Sequence, residues 1–398
     1  MTAHRVSRVT ARTIMNSGGS AAVEVELLLD DEVRGLASSP VALRPGKRER
    51  SLIGSLRVGC PVPEAAVVCL DELCRLMDLE DQKSIDCWLI SQHRHLGADL
   101  MLATSLAYAK AMAKSQGIHL YQYFAELGNF TPGFPGLLVA VLSGGIHQEN
   151  PVVPFQQVML SVPPNLPSEN IPVVIEAYAE IERRLILAEK FGGYSASSGL
   201  LVSGGTWLEG LDVISSTLAD LCLNDVLGLA IDVAAEHLWD GDFYNLGGSK
   251  MEGGELADLL AKIAIEYKVS LLEDPFAPQH EDLWRSLRHR LAGTAELLGD
   301  DLFATSAEYL DPTLANGIVI KMNQVGTIYS TLLAAKAAVA AGMFLCTSHR
   351  SLETEDTSVC DLAVGLQASW TKLGGPRRGD RVAKYNRLMR IESMLSAG

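Results

Sequence analysis

The chain has 398 residues, 48% of them hydrophobic, with 33 Lys and Arg against 48 Asp and Glu for a net charge of -15. That length buries a sizeable core and predicts two domains, one of them large, while the acidic balance works against nucleic acid or an anionic membrane as a partner. Seven scattered cysteines without C-x-x-C spacing fit reduced thiols, not a disulfide framework or a zinc site. No apolar run approaches the ~20 residues of a membrane span and MTAHRVSRVTAR lacks a signal-peptide core, so a soluble cytoplasmic protein is expected.

In chain order, VSRVTARTI and AAVEVELLLD around the turn NSGGS read as an antiparallel pair within residues 5–36. The segment Ala37 to Ser51, ASSPVALRPGKRERS, carries Arg44, Lys47, Arg48 and Arg50; it is either a solvated basic loop or a lid that meets an anion. Helical patterning follows from about Pro63 to Leu79, from Leu96 to Ser115 in an Ala-rich stretch suited to tight packing, and through IHLYQYFAEL. The cluster GNFTPGFPG at 128–136 punctuates the chain, so an α+β domain over 1–128 and a second over 137–398 are expected. LLVAVLSGG enters the second as a strand and delivers His147 in GGIHQEN as a candidate site residue.

Six short apolar segments then recur, each stopping on a residue capable of chemistry: VLGLAID at Asp232, VSLLED at Glu273, AELLGDD at Asp300, GIVIKMN at Lys321, MFLCTSH at His349 and SWTKLGG at Lys372. Unalternating apolar runs suit strands buried on both faces, as in a parallel sheet covered by helices. Successive landmarks lie 21 to 41 residues apart, room for one helix and a return each time. Six such units mean a (β/α) barrel or a doubly wound sheet, and in a barrel all six side chains converge at the mouth formed by the C-terminal strand ends. Three carboxylates there offer hard oxygen ligands for Mg²⁺. A lysine facing that cation has its pKa lowered and can serve as a general base, and a base beside a divalent cation is equipped to form an enolate next to a carboxylate.

At these residues the sequence resembles the enolase family. LAIDVAAEHLWDGDFY, SLLEDPF, LLGDDLFAT, IVIKMNQVGT, TSHRSLETEDT and KLGGPRRGDRVAKYNRLMRIE carry the resemblance, with ARTIMNSGGSAAVEVEL more weakly at the start. It implies an N-terminal α+β capping domain followed by a (β/α)8-type barrel, with Mg²⁺ on Asp232, Glu273 and Asp300. Lys321 would be the base and Lys372 would bind the substrate carboxylate, while His147, His349, Arg350 and Ser351 would sit at the carboxylate and phosphate end. A homodimer or higher homo-oligomer acting on small phosphorylated or phosphonylated carboxylates is implied as well.

Departures from the family pattern matter equally. The metal-binding serine of the family's mobile loop falls on Ala42, leaving Arg44 and Lys47 to meet a substrate anion. The two glutamates that help expel hydroxide fall on Ser203 and on Gln157 or Gln156, with Glu209 as an alternative acid. Protonating a departing hydroxide is commonly worth 10²–10⁴-fold, and neither serine nor glutamine can do it. Three functions stay open: a Mg²⁺-dependent carboxyphosphonoenolpyruvate synthase joining a phosphonoformyl group to an enolpyruvate unit, a phosphopyruvate hydratase, or a non-catalytic binding protein.

Overall fold

A computed structural model describes residues 4–43, 46–50, 56–76, 81–145 and 151–396. The chain opens with a three-stranded antiparallel sheet, β1 (Val6–Met15), β2 (Ala21–Leu29) and β3 (Val33–Ser39), one strand more than the expected pair. Helices α1 (Glu64–Leu73), α2 (Gln82–Ser91), α3 (His93–Ser115) and α4 (Leu120–Gly128) follow. The Ala-rich α3 lies so close on β3 that a Cβ at Gly35 would fall 1.9 Å from the Ala107 carbonyl oxygen. Small residues on both elements make that approach possible. α2, whose Asp81 caps it through the Ser84 N–H at 2.7 Å, was not read from its weak apolar pattern.

The remaining strands form a closed eight-stranded barrel with a hairpin at one edge. In order round the ring they are β4 (Gly136–Ser143), β5 (Gln157–Val162), β8 (Gly228–Asp232), β11 (Val269–Glu273), β12 (Glu296–Gly299), β13 (Gly317–Ile320), β14 (Phe344–Ser348) and β15 (Trp370–Lys372), which pairs back onto β4. The hairpin β6 (Phe191–Tyr194) and β7 (Leu200–Val202) attaches to the end of β4, and a small hairpin β9 (Tyr244–Leu246) and β10 (Ser249–Met251) precedes the next crossover. Helices α5 (Pro167–Leu187), α6 (Trp207–Asp220), α7 (Gly253–Glu266), α8 (Glu281–Arg290), α9 (Met322–Val325), α10 (Ile328–Ala340), α11 (Ser358–Gly365) and α12 (Gly379–Ser396) complete the crossovers. β5 runs antiparallel to both of its neighbours, so its first residue, not its last, reaches the mouth.

The barrel is filled by Leu138, Met159, Ala230, Leu271, Leu298, Val319 and Cys346, one from each of seven strands, with Trp370 of the eighth packed against them. Side chains along a strand repeat direction every two residues. Two positions mouthward of this plug therefore face the same interior: Asp232, Glu273, Asp300, Lys321, Ser348 and Lys372 on the parallel strands and, because β5 is reversed, Gln157.

The N-terminal elements dock on this mouth. Val41 and Leu352 exchange backbone hydrogen bonds at 2.9 and 3.0 Å, and Lys110 pairs with Asp356 at 2.7 Å. The first amides of α10 are capped from the other layer, the Ile328 N–H by Ser105 Oγ at 2.9 Å and the Tyr329 N–H by Asp86 at 2.7 Å. Among the described residues no helix is long and apolar enough to cross a membrane.

Candidate active site

One cleft at the mouth is lined by Asp232, Asp300, Lys321, His349, Arg350, Ser351 and Lys372, together with Gln157, so eight of the residues singled out from the sequence come together. Glu273 stands level with Asp232 on the neighbouring strand, fully buried and held by Lys372. Lys372 Nζ donates to Asp232 at 3.1 Å and to Glu273 Oε2, bridging β8 and β11 from the far side of the ring. Lys321 Nζ pairs with Asp300, whose other oxygen accepts from Gln324 Nε2 at 3.0 Å.

Burial works against the Lys321 ammonium, but the Asp300 carboxylate outweighs it and holds the group above the ordinary lysine value. Lys372 is raised likewise, the cost of burial outweighed by Asp232 and Glu273. Burial, then the neighbouring Asp232, pushes the Glu273 carboxyl up to about 8. Burial and the Arg381 guanidinium hold the His349 imidazole well below its usual range. Since Arg381 Nη1 donates to Nδ1 of that neutral ring, Nε2 carries the proton and is a donor.

Five carboxylates line the cleft (Glu49, Asp232, Asp274, Asp300, Asp301) against three cations (Lys321, Arg350, Lys372). Glu273 adds a sixth acid and a buried Oε1 without a hydrogen-bond partner among the described residues. A buried carboxylate oxygen left unmatched amid excess negative charge fits an oxygen-seeking divalent cation. Oxygens of Asp274, Asp300 and Asp301 also lie within 4.8 Å of one another. Asp274, however, already accepts the Asp300 and Asp301 amides at 3.0 and 2.8 Å, which fixes the turn after β12.

Several expectations are corrected. Ser203 is exposed, its N–H bonded to the Lys190 carbonyl at 2.9 Å. β7 runs parallel to β4 and carries Ser203 outward, while the turn before β7 tucks in and presents Ser197 to the cleft. Glu209 pairs with Lys190 and does not line the cleft. Lys47 points to solvent with its side chain 80% exposed and reaches Glu236 at 3.0 Å. Arg48 lies across the Tyr309 ring, 4.5 Å from its centroid. Among the described residues of the loop, the one that lines the cleft is the acid Glu49 and not a basic side chain. Arg44 and His147 lie outside the described residues.

Opposite the lysine, the described residues of the wall are neutral. β5 stands four strands from β13 in the eight-strand ring, so Gln157 lies diametrically across from Lys321. Its Nε2 donates to Ser197 Oγ at 2.9 Å, and a buried hydroxyl chain continues through Ser195 to Ser143. Gln156 donates to Asp232 at 3.2 Å, so both glutamines reach the cleft.

A barrel whose mouth gathers acids and lysines from successive strand ends offers oxygen ligands for a divalent cation beside two ammonium groups. The family model described as "Enolase, N-terminal domain" matches residues 6–124, and "Enolase, C-terminal TIM barrel domain" matches 133–398. A protein named enolase from Rubrobacter xylanophilus is 34% identical over 409 residues, covering 97% of this chain and 94% of its own length. The chain belongs to the enolase family.

Proposed function

We propose that this protein is a Mg²⁺-dependent enzyme that holds the enolate or enol form of a small phosphorylated or phosphonylated carboxylate, with Asp232, Glu273 and Asp300 as the metal ligands. The observation that carries this reading is the single layer of Asp232, Glu273, Asp300, Lys321 and Lys372 above the barrel plug. When bound, the cation would supply the positive charge that makes an enolate accessible. Lys321 moves a proton at the α-carbon or holds the enol oxygen. Lys372 fixes the substrate carboxylate. Arg350, the His349 Nε2–H and Ser351 receive the remaining anionic group. Five buried charges have little use in a non-catalytic binding protein.

Support divides over the reaction. Similarity to a protein named enolase along nearly the whole chain favours phosphopyruvate hydratase, the dehydration of 2-phosphoglycerate, over the synthase. The pair Gln157 and Ser197 favours the synthase: with no acid among the described residues of that wall to protonate hydroxide, the enol oxygen of an enolpyruvate unit attacks an activated phosphonoformyl donor. A P–O bond then forms as the donor's leaving group departs with its electron pair.

One experiment separates them. The protein is incubated with 2-phosphoglycerate and Mg²⁺ in D₂O and followed by absorbance at 240 nm and proton NMR. Turnover above about 1 s⁻¹ establishes dehydration. Neither turnover nor loss of the α-proton signal is the result expected of the synthase, which starts from a ready-made enol; Lys321-dependent loss of that signal with little enolpyruvate product would refute it and return the protein to proton abstraction. Exchange that persists in Lys321→Ala would overturn the assignment of the base.

A further inference from the structure

Arg350 enters the cleft from the turn after β14, and its guanidinium is already taken. Its Nη2 donates to both oxygens of Glu49, at 2.9 and 2.8 Å, and the two side chains are 5% and 7% exposed. Glu49 is held in turn: Oε1 also accepts the Gly46 N–H at 3.0 Å, and Gln324 Nε2, which bonds the Asp300 carboxylate, lies 3.4 Å from it. The Arg50 N–H donates to the Gln324 carbonyl at 3.1 Å. Gly46 sits so tightly on the mouth that a Cβ there would meet Asp301 Oδ1 at 2.6 Å. Meanwhile Arg350 Nη1 is buried with no hydrogen-bond partner among the described residues, and the free space in the cleft is about 50 Å³. That volume holds a few waters, not a phosphorylated carboxylate.

We propose that Glu49 is a built-in competitor for the anion position on Arg350, so that a ligand enters only by displacing it. This rests on the reading of Arg350 as the substrate's anion contact. Its consequence is selectivity by charge. An intramolecular carboxylate faces the guanidinium at high effective concentration, and a monoanionic carboxylate gains little by exchanging with it. A phosphate or phosphonate dianion brings twice the charge and a third oxygen for the unpartnered Nη1. Residues 46–50 leave the mouth when the dianion arrives, which frees their backbone from the Gly46–Glu49 and Arg50–Gln324 hydrogen bonds, so that the already exposed Lys47, Arg48 and Arg50 can enter a protease in extended form.

Those cations make trypsin the probe. On the full chain with Mg²⁺, inorganic phosphate is expected to speed cleavage after residues 47, 48 and 50, whereas acetate at equal ionic strength is not. Glu49→Gln should be cleaved rapidly with or without phosphate, and should bind phosphate about tenfold or more tightly by calorimetry, since the cost of displacing the competitor is gone. Cleavage of Glu49→Gln at the wild-type rate, protection of the loop by phosphate, or weaker phosphate binding by the variant would each overturn the proposal. Phosphate-induced opening in a protein that fails to bind phosphoenolpyruvate would leave the competitor standing and remove the assigned substrate class instead.

Discussion

Gln157 bears on the reaction more directly than any charged residue in the cleft. It occupies the strand position across from Lys321, is buried, and spends its amide on Ser197. A carboxylic acid at that point could protonate a leaving hydroxide, a task worth 10²–10⁴-fold. Gln157→Glu is therefore expected to raise 2-phosphoglycerate dehydration about tenfold or more, read as absorbance at 240 nm, with the gain dependent on Lys321. An unchanged rate in a folded variant would mean that another group is the acid and that the wall's neutrality is irrelevant to the reaction.

At the scale of elements, α10 is capped by residues from the other layer, and one of the caps is titratable. Asp86 is fully buried, accepts from the Tyr329 N–H and from Gln82 Nε2 at 3.0 Å, and burial lifts its carboxyl to about 7 despite those bonds. An acid whose folded pKa is raised binds its proton more tightly folded than unfolded. Its contribution is fully present below the unfolded value, near 4, and is lost as pH climbs towards 7, above which no further change follows. Thermal melts of Asp86→Asn should fall less steeply than wild type between about pH 4 and 7. Parallel profiles would show that Asp86 keeps its charge through a partner in solution.

Across the whole molecule, the mouth concentrates negative charge that the fold alone leaves poorly matched, with Glu273 Oε1 unpartnered among the described residues. A cation that binds only the folded state stabilises it by about 2.7 kcal/mol at a hundred times its dissociation constant. Saturating Mg²⁺ should raise the melting temperature by a few degrees, and a chelator should reverse the rise. Asp300→Asn, which removes one charge and one ligand, should abolish most of the Mg²⁺ increment and weaken binding in calorimetry. An equal increment in the variant would exclude Asp300 from the metal site.

The sequence by itself determined the strands that end in Asp232, Glu273, Asp300, Lys321, His349 and Lys372, because burial on both faces leaves unbroken apolar runs whose spacing admits one helix each. Whether those ends meet in one mouth depended on closure, which the spacing left open between a barrel and a doubly wound sheet and which the pairing of β15 with β4 supplies. The antiparallel sense of β5 was decided only by the tertiary structure. Direction is a property of pairing, and a six-residue apolar strand reads alike in either sense. The same holds for Ser197 replacing Ser203, where the attachment of the β6–β7 hairpin to β4 selects which serine turns inward. It holds also for Glu49: one acid among four cations in ASSPVALRPGKRERS looks like a minority charge until the loop folds over Arg350, because which side chain meets a buried guanidinium is fixed by packing across 301 residues of separation and not by local composition.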